Sequence, residues 1–180
     1  PSNVKIMPVK VMRNNGSGTY LGIKLGIEYA VKNGADVINM SLGAEVDMDN
    51  PITKAVREAV KKNVTVVVAA GNESENTSKF CPAGISECIT VASATEFGAS
   101  TSLFSNYGKT VDITAPGENI ESSIPGNQYA QLSGTSMATP FGSAAAAMVI
   151  LDKGKISPSE VEKTLKSYCA DMYVKGNDIY

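Results

Sequence analysis

Gly134-Thr135-Ser136-Met137-Ala138-Thr139-Pro140 runs on into Phe141-Gly142-Ser143 and four alanines, Ala144 to Ala147. Proline is tolerated in the first turn of a helix, where its missing N–H would have no partner. The alanine run has high helix propensity and little side chain, so a helix here can lie close against a sheet. Ser136 is then expected at or near a helix N-terminus, where free N–H groups and the positive end of the helix dipole favour developing negative charge. Such a place suits a nucleophilic oxygen. The plainer alternative is that Ser136 simply caps the helix.

This heptad resembles the nucleophile motif of the subtilisin-like serine proteases, the subtilases. Asp36-Val37-Ile38-Asn39-Met40-Ser41-Leu42-Gly43 is similar to the substrate-binding strand of that family, and Val66-Val67-Val68-Ala69-Ala70-Gly71-Asn72-Glu73 to its oxyanion-asparagine segment. The likeness runs from about Val4 to the C-terminus, with the motifs in family order. It implies an α/β fold: a three-layer parallel sheet with helices on both faces, residues 1–180 forming the C-terminal part of one catalytic domain.

The bulk properties fit one domain. A 180-residue chain buries roughly 70% of its unfolded surface. Its formal charge of −2, with signs interspersed, leaves no footprint for nucleic acid or an anionic membrane. No apolar run is long enough to span a bilayer. Pro1 reads as the start of a fragment, so the lack of a leader is silent about secretion; the resemblance implies a secreted or cell-surface protein. Cys81 and Cys88 are close enough in sequence to bridge a small loop, the alternative being buried free thiols. No Cys/His cluster has the spacing of a zinc site.

Along the chain, Val4 to Met12 reads as a buried strand despite Pro8. A helix is expected from Thr19 to Asn33-Gly34, and a strand over Asp36 to Met40. Pro51 opens a second helix, with Glu58 and Lys62 a favourable pair four residues apart on a solvated face. Val64 to Ala70 suits a central strand covered on both faces. Cys88 to Ala92 and Val111 to Ala115 are further strands. Ile120 to Leu132, with Pro125-Gly126-Asn127 in its middle, suggests a hairpin. Ser157-Pro158 starts a last helix reaching about Tyr168, and Asp171 to Tyr180 is expected to be irregular. Strands alternating with helices imply a parallel sheet with right-handed crossovers, with ligands bound beyond the strands' C-terminal ends. Ser41-Leu42-Gly43 and Gly71-Asn72 fall at such ends.

The chemistry follows from the resemblance. Attack by Ser136 on a peptide carbonyl creates an oxyanion, for which the Asn72 side chain and the Ser136 N–H are the expected donors. The alternative for Asn72 is a turn residue after a strand. Ser41, Leu42 and Gly43 would pair with the substrate backbone and form one wall of the P1 pocket, and Ala69, Ala70 and Gly71 the other. Ser17 and Gly18, with Tyr20 and Ile23, match the family's second substrate edge, although Tyr20 and Ile23 suit packing equally well. Asn-x-Ser/Thr sequons begin at Asn15, Asn63, Asn72 and Asn76. A glycan on Asn72 would destroy an oxyanion site, so either these sequons go unread or the assignment is wrong. Acidic-pH relatives of the family carry aspartate at that position, which Asn72 argues against. Phe141 stands where the family usually has a structural histidine, and Gly142-Ser143 where Val-Ala is typical.

The chain contains no histidine. A serine hydroxyl is a weak nucleophile without an adjacent base, and in the Ser-His-Asp scheme that base is histidine. In the subtilases the catalytic aspartate and histidine precede the stretch resembling Val4 to Met12, and the aspartate strand lies between that stretch and the one resembling Asp36 to Met40. The expectation is therefore a complementary N-terminal segment or second chain carrying Asp and His. A free chain should fold poorly, its strand edges exposed. Peptide or protein substrates, and a propeptide, are further partners the resemblance implies. Calcium is a family habit, but no EF-hand-type loop is present. A catalytically inactive binding or regulatory protein on the same scaffold is the competing reading.

Overall fold

The computed structural model describes residues 3–95 and 100–172. Helix α1 (Tyr20–Lys32) leads into strand β1 (Val37–Met40), the short β2 (Ala44–Glu45) and helix α2 (Pro51–Lys61). Strands β3 (Thr65–Ala69), β4 (Phe80–Cys81), β5 (Ile89–Ala94) and β6 (Val111–Pro116) follow. The hairpin β7 (Ile120–Ile124) and β8 (Gln128–Leu132) then returns the chain to α3 (Thr135–Lys153) and α4 (Pro158–Tyr168).

The helices begin where their caps dictate. Thr19 Oγ1 accepts the Gly22 N–H, and Asn50 Oδ1 accepts those of Ile52 and Thr53 ahead of Pro51. Ser157 and Glu160 close a capping box on α4. The main sheet is ordered β1-β3-β5-β6 and every pairing is parallel. Strand side chains alternate between faces, so β3 serves two cores. Val66 and Val68 join Ile27, Val56 and Ile85 beneath α1 and α2. Val67 joins Val91, Ala146 and Val161 beneath α3 and α4. All five residues of β3 are buried, as its continuous β-branched run implies. The fold is thus a three-layer α/β arrangement.

Helix α3 lies close to the sheet because its inward stripe, Ala138, Gly142, Ala146 and Val149, is small. Two details differ from the sequence reading. Gly134, not Ser136, is the N-cap, with φ 154° and ψ 159°, a backbone region that tolerates little but glycine. Pro140 lies inside the helix rather than in its first turn, leaving one carbonyl without its helical donor.

Val4 to Met12 is not a strand. It forms no regular element, and its one bridge joins Met12 to Gly18. The physical reason is distance from any ladder partner. Val9 and Val11 pack on α1 at Gly26, and a groove of about 1140 Å³ separates residues 3–11 from the outer edge of β1. Ile27 and Ala30 of α1 and Ala144, Ala147 and Leu151 of α3 are among its walls. On the solvated face of α2, Glu58 pairs with Lys61 at 2.7 Å rather than with Lys62. Cys81 and Cys88 are buried free thiols, Cys169 an exposed one. Most of the expected irregular tail, residues 173–180, lies outside the described residues.

Candidate active site

Because β1 and β3 are parallel neighbours, the segments leaving their C-terminal ends emerge side by side. The N-terminus of α3 points between them. Ser41, Leu42, Gly43, Ala69, Ala70, Gly71, Asn72 and Ser136 therefore line a single cavity of about 210 Å³. Phe80 and Ala83 also line it; they belong to the Phe80 to Ser86 loop, where the sequence reading expects the floor of the P1 pocket. Ser17, Gly18, Tyr20 and Ile23 are not in that lining, although the neighbouring Met12 and Gly16 are. Ile23 is buried in the core beneath α1, and Tyr20 is half exposed.

The surroundings of Ser136 are set by a missing hydrogen. Pro140 cannot donate to the carbonyl four residues back, which belongs to Ser136. That carbonyl accepts the Ser41 hydroxyl instead, at 2.9 Å. Ser136 Oγ in turn donates to the Ser41 carbonyl at 3.3 Å. The Ser41 hydroxyl is held by Asn39 Nδ2 at 3.0 Å, and Asn39 Oδ1 accepts Ser143 Oγ at 2.8 Å. Ser143, one of the departures from the family pattern, thus ties α3 to β1.

Asn72 is oriented by Thr135, which the motif contains but the sequence reading left without a role. Asn72 Oδ1 accepts both the Thr135 N–H, at 2.8 Å, and Thr135 Oγ1, at 3.1 Å. Two donors on one atom fix which end of the amide is oxygen. Nδ2 is then left to donate elsewhere. The Ser136 N–H, in the first turn of α3, has no acceptor among the described residues, as expected of an orphan helix-terminal donor. Asn72 Nδ2 and Ser136 N–H together provide two donors at the dipole's positive end. That combination can stabilise negative charge developing on a carbonyl oxygen whose carbon lies beside Ser136 Oγ.

Among the described residues, no three His, Cys, Asp or Glu side chains gather to hold a metal ion. No helix among them is long and apolar enough to cross a membrane.

Comparison with known proteins agrees with this geometry. The Subtilase family model matches residues 2–176. The chain is 41% identical over 177 residues to the cell wall-associated protease of Bacillus subtilis (strain 168), covering 98% of this chain and 19% of that protein. It is 38% identical over 182 residues to subtilisin DY of Bacillus licheniformis, covering 99% and 64%. Among solved structures, a protease from Pseudoalteromonas arctica superposes with a TM-score of 0.87 at 30% identity, covering 94% of this chain and 57% of that one. The chain thus spans less than two thirds of the length of these relatives, and on its motifs, fold and match it belongs to the subtilase family.

Proposed function

We propose that this chain supplies the nucleophile, oxyanion donors and substrate-binding edges of a subtilisin-like serine endopeptidase. The aspartate and histidine come from a complementary segment or second chain seated along the outer edge of β1. The observation that carries this reading is the convergence of Ser136, Asn72 and the two expected P1 walls, Ser41-Leu42-Gly43 and Ala69-Ala70-Gly71, on one cavity. The groove beside β1 supports the second part: it is wide, largely apolar in its walls, and bordered by an edge strand whose outer side has no partner among the described residues.

In this mechanism an extended peptide pairs with Ser41-Leu42-Gly43 and inserts its P1 side chain between that segment and Ala69-Ala70-Gly71. The incoming histidine takes the Ser136 hydroxyl proton as Oγ bonds to the peptide carbonyl carbon. The carbonyl oxygen becomes the anion that Asn72 Nδ2 and the Ser136 N–H receive. The histidine then returns the proton to the departing amine, and water releases the acyl group by the same path. Until the base arrives, the Ser136 hydroxyl keeps its proton and donates it in a hydrogen bond to the Ser41 carbonyl. Calcium has no assigned step, and secretion or cell-surface placement is part of the proposal.

A fluorophosphonate probe tests it. Ser136 should label in the assembled protein and not in the free chain, with Ser136→Ala as the blank. No labelling in the assembly would favour the regulatory reading, which the absence of histidine otherwise recommends. Asn72→Ala should lower kcat roughly 10²–10³-fold and leave KM nearly unchanged. That magnitude is carried over from an oxyanion asparagine measured in a subtilisin. Equal losses in kcat and affinity would remove Asn72 from the oxyanion role.

A further inference from the structure

We propose that Asn106 is the positioning residue of the oxyanion asparagine, an inference that rests on the peptidase reading above. Asn106 lies far from every motif in sequence and is 1% exposed. Its Nδ2 donates to the Ala70 carbonyl at 3.0 Å and to Glu73 Oε2 at 2.7 Å. Its Oδ1 accepts the Glu73 N–H at 3.0 Å and the Glu75 N–H at 2.9 Å. Both amide hydrogens and both lone pairs are therefore used. The Asn106 main-chain N–H adds a fifth bond, to the Gly71 carbonyl at 3.0 Å.

Four of these five bonds reach the main chain, on both sides of Asn72. The Glu73 carboxylate oxygen that Asn106 holds also accepts the Asn72 N–H, at 2.7 Å. Gly71, at φ +106°, lets the main chain pass directly over the Asn106 amide; a Cβ there would collide with Nδ2. The clamp stands on a rigid base. Ser105 Oγ accepts the Ser93 N–H of β5 at 3.0 Å, and the Ser102 and Ser93 hydroxyls bond at 2.7 Å. The backbone of Asn72 is thus referred to a central strand, and Thr135 has only side-chain torsions left to fix. Donors to a developing oxyanion act through preorganisation, with tolerances of about 0.5 Å.

The test is a double-mutant cycle in the assembled enzyme, combining Asn106→Ala with Asn72→Ala. Asn106→Asp keeps the shape but turns lone pairs toward the Ala70 carbonyl and Glu73 carboxylate, and serves if the alanine variant does not fold. Each variant is assayed well below its own melting temperature. The expected result is a loss of at least tenfold in kcat with KM within threefold. That loss should shrink to under threefold once Asn72 is already alanine. A loss of equal size in both backgrounds, or one confined to KM, would overturn the assignment while leaving the peptidase reading intact. An unmutated assembly without peptidase activity would overturn that reading, and this inference with it.

Discussion

Gly142→Ala measures how closely α3 must approach the sheet for Ser136 to be in place. A Cβ at Gly142 would lie 2.9 Å from Val91 Cγ2, 3.2 Å from Ile113 Cδ1 and 3.4 Å from Val67 Cγ1. Val91 and Val67 are fully buried on the two central strands, and a β-branched side chain has little rotamer freedom to yield. Restoring a normal carbon–carbon contact of roughly 3.5 Å requires the helix to retreat by roughly 0.6 Å. Helix propensity alone would stabilise the alanine variant by about 1 kcal/mol. Overpacking costs about 1–3 kcal/mol, so the expected net change is a destabilisation of up to ~2 kcal/mol. A retreat of that size also moves Ser136, less than two turns upstream, away from Asn72 by more than the tolerance of such a site. Urea denaturation of the assembled protein reads the first effect, and the rate of fluorophosphonate labelling reads the second. A variant stabilised by about 1 kcal/mol, with labelling unchanged, would show that α3 has room to spare and refute the packing argument.

Two further outcomes follow from other parts of the chain. Iodoacetamide should modify Cys169 in the native protein and reach Cys81 and Cys88 only after unfolding; burial pushes the Cys88 thiol well up, away from the reactive thiolate. Native-state labelling at Cys88 would mean that the core beneath α2 opens. Ser157→Ala should destabilise the fold by about 1 kcal/mol at neutral pH through loss of the α4 cap. Hydrogen bonds from the Ser157 side chain and then its backbone hold the Glu160 carboxyl below its ordinary value of 4.5. A depressed carboxyl stabilises the fold above that ordinary value and ceases to do so as pH falls through the lowered one. The gap in denaturation midpoint between the two proteins should narrow as pH drops through that window, and a constant gap would count against the capping box.

The legible parts of the fold were those written in local pattern. The β-branched run Thr65 to Ala69, the Asn50-Pro51 and Ser157-Pro158 helix starts, and the Pro-Gly-Asn turn between β7 and β8 each carry their own signal over a few residues. Site residues at strand ends were legible for the same reason, since a parallel sheet delivers them together. Long-range partners were not. Asn106 reads locally as a turn residue in Ser-Asn-Tyr-Gly, and its role depends on contacts across more than thirty residues. Thr135 was in view within the motif, but its bonds to Asn72 appear only once β3 and α3 are packed. Val4 to Met12 has strand composition, yet composition cannot supply a neighbour to pair with. The place of Pro140 is not legible because a proline in the second turn is costly alone; here the freed Ser136 carbonyl has a donor in Ser41, just past the end of β1, invisible in sequence.

The geometry also separates the two halves of the proposed site in kind. In the proposed mechanism the anion-receiving half is built within this chain, from Asn72 with Thr135, Asn106 and the N-terminus of α3. The proton-accepting half would call for a histidine, which this chain does not contain. What completes it must satisfy two demands at the groove. The volume beside β1 could be filled by side chains of any element, but another strand is what pairs the outward N–H and C=O groups of an edge strand in a continuous ladder. A complement that adds a strand to β1 would meet both demands, and its C-terminal end would arrive where the other strand ends already converge. Asn39 and Ser143, both in the groove lining, would face the incoming residues beside Ser41. In the proposed assembly the segment that closes the sheet would also be the one placed to carry catalytic groups to Ser136, which would make fold completion and activation one event.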